Sequence, residues 1–67
     1  MVQPTPPAEL LDAVATADQA VWNGGGTALI TRRHEATRAA LAAGWKPEEI
    51  ATRVRVRPED VRRWAGS

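Results

Sequence analysis

Apolar residues recur along this chain with helical rather than strand spacing. Leu10, Val14, Ala17 and Val21 fall at i, i+4, i+7 and i+11, and Leu11 and Trp22 widen the stripe. Residues three and four apart share one face of a helix. The spacing therefore predicts a first amphipathic helix over residues 8–22. Glu9 and Asp12 lie in its early turns, where the positive end of the helix dipole favours anions. Before it, Pro4, Pro6 and Pro7 remove backbone donors and forbid helix, so residues 1–7 are expected as an extended tail. Thr5 is the expected cap, with a proline in the first turn. After it, Asn23-Gly24-Gly25-Gly26 supplies left-handed conformations at no steric cost, and residues 23–27 are expected to act as a hinge.

Thr27 can cap a second helix over residues 28–43, rich in the good helix formers Ala, Leu and Arg. Ile30, His34, Thr37 and Leu41 fall on one face, with Ala40 beside them. Arg32, Glu35 and Arg38 point elsewhere, and Arg33 sits near the boundary. Gly44 is a natural stop, after which Trp45 can fold back on the last turn. Lys46-Pro47-Glu48-Glu49 then opens a short third helix over residues 47–54, and Arg57-Pro58-Glu59-Asp60 opens a fourth over residues 58–65. Both starts put Pro where its missing N–H is harmless and acids where the dipole wants them. Val54-Arg55-Val56-Arg57 alternates like a strand but is too short and lies between two helix starts. The expected fold class is all-α.

Two short helices joined by a tight turn, with apolar residues at Ile50, Val54, Val56, Val61 and Trp64, make a helix-turn-helix pattern. Ile50 and Val54 face the same way from the first of the pair. Ala51 sits where the helices cross, and a larger side chain would force them apart. Val56 plugs the turn, and Val61 and Trp64 face back inward. The outer face of the last helix is left with Arg, Glu and Asp. Residues 28–67 are expected to form the helix-turn-helix domain, and the first helix either packs back on it or pairs with a second copy through Leu10, Val14, Val21 and Trp22. Pairing would cover an apolar stripe that a monomer this small struggles to bury.

The run A-A-L-A-A-G-W-K-P-E-E-I-A-T-R-V-R-V-R-P-E-D-V-R-R-W resembles the helix-turn-helix of the resolvase/invertase recombinases and of many small bacterial and phage regulators. Those commonly read as an Ala-rich helix, Gly-Trp or Gly-Tyr, a Pro or Ser with acids, then Ile-Ala, with Val and Trp closing the recognition helix. The resemblance covers about residues 36–65. It implies a fold, not recombination, since it includes no catalytic domain. In such families early exposed residues of the recognition helix touch base edges in the major groove, and dimers read two half-sites about one helical turn apart. Carried over, that places Arg57, Glu59, Arg62 and Arg63 at the groove, with Arg62 and Arg63 the best guanine or phosphate contacts because a guanidinium fork fits both. Arg53, Arg55 and Lys46 would contact phosphate, and some of Arg32, Arg33 and Arg38 would reach the backbone. Two positions depart from the pattern. Arg55 stands where the family usually has Gly, at a site that tends to need a positive φ. Glu59 and Asp60 open the recognition helix, where acids repel phosphate unless one accepts from a cytosine amino group. They are either a specificity device or a sign that this surface binds protein.

Charge sharpens this picture. Residues 1–27 carry three acids and no Lys or Arg, whereas residues 28–67 carry all nine cations and five acids, for a net charge of +1. A basic half is a candidate for nucleic acid, although small asymmetries also arise by chance in short chains. At 67 residues the chain is one domain with a small core. With no Cys and one His it has no disulfide, thiolate zinc site or cysteine nucleophile. There is no phosphate-cradling Gly-Lys-Ser pattern after Gly24-Gly25-Gly26, so no enzyme, metal or cofactor is expected. No apolar run is long enough for a membrane span, and no signal peptide is apparent, so a cytoplasmic protein is expected. His34 reads as a core-edge residue rather than an acid–base group, and Trp45 and Trp64 read as core. Trp22 is equally suited to docking on the basic half or reaching another chain. The expected partner is double-stranded DNA, bound as a site-occupying regulator. A protein-interaction module presenting Glu59, Asp60 and the Arg cluster is the alternative, and RNA a third.

Overall fold

A computed structural model describes residues 5–66. Within them the chain is all-α, with helices α1 (Ala8–Trp22), α2 (Thr27–Ala42), α3 (Pro47–Val54) and α4 (Pro58–Ala65). Met1 to Pro4, part of the expected tail, lie outside the described residues; Thr5 to Pro7 are non-helical. Among the described residues no helix is long and apolar enough to cross a membrane.

The helix starts differ from expectation in their caps. Neither Thr5 nor Thr27 caps a helix through its side chain. Pro7 occupies the cap of α1 at φ −60°, its ring's own angle, and Gly26 occupies the cap of α2. The Pro7 carbonyl accepts from the Leu10 N–H at 3.2 Å. Thr27 is therefore the first residue of α2, which runs one residue earlier at both ends than its pattern suggests.

The helix ends share one device. Gly24 (φ 96°) closes α1: its N–H reaches the Val21 carbonyl at 3.2 Å, and the Gly25 N–H reaches Ala20 at 3.1 Å. Gly44 (φ 113°) closes α2 in the same way, with Trp45 N–H to Ala40 at 3.1 Å. A left-handed residue lets the chain fold back and satisfy carbonyls that the helix leaves open. The glycine run is thus a hydrogen-bonded closure. Gly25 also permits a close approach, because a Cβ there would stand 2.4 Å from Leu29 Cδ1 and 2.8 Å from the Ala20 carbonyl oxygen.

The core is Val14, Ala40, Ile50, Ala51, Val61 and Trp64, with Leu10, Leu11, Ala36, Leu41, Trp45, Val54 and Val56 packed around it. Every helix contributes. α1 packs along α2 and also against α3, while α4 packs on α2 and α3; α1 and α4 do not approach one another closely. Of the two dispositions open to the first helix, it packs back. Val14 is completely buried inside the chain and presents no surface to a second copy. Leu10 and Val21 are half-buried, and Trp22 is 77% exposed.

The inward face of α2 is turned from the one its pattern suggests. Thr37 and Ala40 are buried, Leu41 and His34 are half-buried, and Ile30 is exposed. Arg33 lies inside instead. It donates to Asp18 Oδ1 at 2.9 Å with only 14% and 9% of the two side chains exposed, and its guanidinium carbon stands 4.1 Å from the Trp64 ring centroid. Thr37 satisfies its own burial by donating to the Arg33 carbonyl at 2.8 Å. Trp45 Nε1 donates to the Pro7 carbonyl at 3.0 Å, tying the segment before α1 to the α2–α3 turn.

Candidate nucleic-acid interface

The seven residues singled out as a DNA surface all belong to α3, α4 or their starts and connecting turn. Lys46 is the cap of α3, Arg53 lies in its last turn, Arg55 follows it, and Arg57 is the cap of α4. Glu59, Arg62 and Arg63 are on α4 and exposed, whereas Val61 and Trp64 of the same helix are buried. The helix is divided as its spacing requires: inward residues three apart, charges on the exposed face.

Arg55 has φ 66° and ψ 45° and is the sole non-glycine residue with positive φ among the described residues. The expected left-handed turn is present, built on Arg. Its N–H donates to the Ala51 carbonyl at 2.8 Å, and the Val56 N–H donates to the same carbonyl at 3.0 Å. A Cβ in this region meets the following carbonyl, at a cost of about 1–2 kcal/mol, partly offset because Gly loses more backbone entropy on folding. Arg55→Gly is therefore expected to stabilise the fold by about 0.5 kcal/mol, measured by urea denaturation. Destabilisation would mean that the Arg55 side chain contributes more than its backbone strain costs.

The acids at the helix starts have a structural role that the dipole alone does not describe. Glu49 Oε1 accepts from the Lys46 N–H at 2.9 Å, and Asp60 Oδ2 accepts from the Arg57 N–H at 3.4 Å. Each reaches back three residues to the cap, one arm of a capping box. Lys46 and Arg57 have no side-chain acceptor, so the return arm is backbone: Glu49 and Asp60 N–H groups donate to the cap carbonyls at 3.0 Å. Asp60 Oδ1 also accepts from Arg63 at 2.9 Å. Asp60 is thus occupied within α4. Glu59 has no ion pair among the described residues.

The arginines divide by their neighbours. Arg53 pairs with Asp12 of α1 at 2.8 Å, Arg62 with Glu48 at the start of α3 at 2.9 Å, and Arg63 with Asp60. Lys46, Arg55 and Arg57 form no ion pair with an acid among the described residues. Arg53 and Arg55 line a groove of about 240 Å³ between α1 and α3, with Ala15, Asp18, Gln19 and Val54. The acidic first helix therefore lies against the basic half, through Asp12–Arg53 at the surface and Asp18–Arg33 inside. Arg33 is unavailable to a nucleic-acid backbone while that pair holds, and Arg32 and Arg38 are exposed on α2. His34 is half-buried, and partial burial, then the charges of Arg33 and Arg38, lower its pKa below the usual imidazole value. The imidazolium is disfavoured in the fold, so acidification through the free-histidine range opposes folding.

Asp12, Asp18 and Glu48 are the charged partners that the spacing did not single out. Asp18 carried a signal: it stands four residues after Val14 and so shares the apolar stripe, where an acid needs a partner. The acids three residues after each cap were likewise legible as capping-box positions. No sequence signal pairs Glu48 with Arg62.

No protein family, curated protein or solved structure matches the chain.

Proposed function

We propose that this is a small DNA-binding protein whose α3 and α4 act as a helix-turn-helix, regulating transcription or a mobile element by occupying its site. The observation that carries this reading is the division of α4 and the turn before it. Val61 and Trp64 are buried, while Arg55, Arg57, Glu59, Arg62 and Arg63 are all exposed. A short helix anchored by two inward side chains and lined outside by guanidinium groups suits the major groove, where Arg forks meet guanine or phosphate. Of the two acids that counted against DNA, Asp60 caps the helix and holds Arg63, which leaves Glu59 as the acid able to meet a cytosine amino group.

The test is selection from a pool of random duplexes at low and physiological salt, followed by sequencing of the retained DNA. Wild type is expected to enrich a motif, with affinity falling by about 0.9 log unit per log unit of salt for each phosphate neutralised. Arg62→Ala with Arg63→Ala is expected to lose the motif. Absence of retention even at low salt would replace this reading with a protein-interaction module. The exposure of Trp22 favours that second reading, because a large exposed aromatic is a common anchor for a protein partner.

A further inference from the structure

Resting on the DNA-binding reading, we infer that Glu48 is a positioning residue that sets how strongly the protein prefers its own site over random duplex. It does so by holding Arg62. Three observations carry this. The Glu48–Arg62 contact joins the start of α3 to the last turn of α4, with the two residues 14 apart in sequence, so it is a tertiary contact and not a product of helix spacing. Both side chains are more than half exposed, at 56% and 60%, so water screens the pair and a phosphate can compete for the guanidinium. Asp60 of α4 pairs with Arg63 and Glu59 has no ion pair among the described residues, so Arg62 is held by an acid of a neighbouring helix.

The chemistry follows from donor geometry. A guanidinium carries five N–H donors in a rigid plane. The bond to Glu48 uses Arg62 Nη2 at 2.9 Å and orients the fork. The other donors remain able to meet a base edge. A phosphate on arbitrary DNA must instead turn the fork away from Glu48 or accept its repulsion. Glu48 therefore weakens backbone-only binding more than base-specific binding. Asp12 restrains Arg53 in the same manner at the α1 side, and Lys46, Arg55 and Arg57 supply the unrestrained phosphate contacts.

The experiment compares Glu48→Gln with Glu9→Gln, which removes the same charge from an exposed acid of α1 that has no ion pair among the described residues. Each full-length variant and wild type is titrated with one random 20-base-pair duplex and with the selected site at 50 and 200 mM salt. Circular dichroism confirms that both variants remain folded. Release of Arg62 adds one phosphate contact, so the salt slope on random DNA steepens by about 0.9 for Glu48→Gln, which is about threefold extra weakening over that fourfold salt range. Site preference falls by the extra affinity gained for random DNA. For Glu9→Gln the slope is expected to stay at the wild-type value. Equal slopes for the two variants, with wild type still binding its site, would overturn the positioning role and leave the DNA-binding reading intact. Failure of wild type and both variants to bind any duplex would overturn both. Binding by Glu48→Gln alone would support both.

Discussion

Asp18→Ala is expected to lower the unfolding free energy by about 3–5 kcal/mol, the range for removing one partner of a buried ion pair and leaving the other charge uncompensated. A chain of 67 residues has roughly 3–10 kcal/mol in total at the usual stability per residue, so the variant is expected to lose a third or more of its stability. The cause is local. Arg33 has 14% of its side chain exposed, Asp18 is its acid partner, and Arg33 Nε is already buried without a hydrogen bond among the described residues. Without the carboxylate the contact left to the guanidinium among the described residues is the Trp64 ring face, worth about 0.5–2 kcal/mol. The double variant Asp18→Ala with Arg33→Met removes charge and partner together, and an apolar pair of similar volume is often neutral relative to the ions. Urea denaturation should therefore place the double variant above the single one. A single variant as stable as wild type would show that the pair is solvated in solution.

Trp64→Ala should be nearly as severe, at about 3–5 kcal/mol, the range for deleting a large aromatic from a core. Trp64 packs with Ile50, Ala51 and Val61 where α2, α3 and α4 meet, and it also covers the Arg33 guanidinium. It thus links α4 to the ion pair of α1 and α2, although α1 and α4 do not approach one another. Trp22→Ala provides the contrast: Trp22 is 77% exposed, and a surface substitution away from special features usually shifts stability by no more than about 0.5 kcal/mol. Thermal melts followed by far-ultraviolet circular dichroism would rank the two. A Trp64 variant that melts within a few degrees of wild type would mean that the α4 packing described above does not hold in solution.

The expected reach of the first helix changes most between sequence and structure. Its apolar stripe was legible, and so was the need to cover it. Both a second copy and the rest of the chain satisfy that need equally on periodicity alone, because periodicity names a face and not what meets it. In the structure α2 and α3 meet it, and Val14 joins the same core as Ile50 and Val61. Arg33 was placed at the edge of the α2 face, where a modest rotation of the helix decides between solvent and core. That rotation is fixed by α1 and α4 packing on either side.

The amino-acid sequence by itself determined the four helices and their short connections, whereas the left-handed turn at Arg55 was expected only from the resemblance. These depend on local chemistry: proline's fixed φ, glycine's access to positive φ, acids near helix starts, and apolar residues three or four apart. Tertiary structure alone decided which charges are spent inside the molecule. Asp18 meets Arg33 across 15 residues, Asp12 meets Arg53 across 41 and Glu48 meets Arg62 across 14. Such pairs require two helices to be set at a particular rotation and offset, and no local rule encodes that. The same arginine can be a buried strut, a restrained contact or a free cation, and the helix packed against it makes the difference.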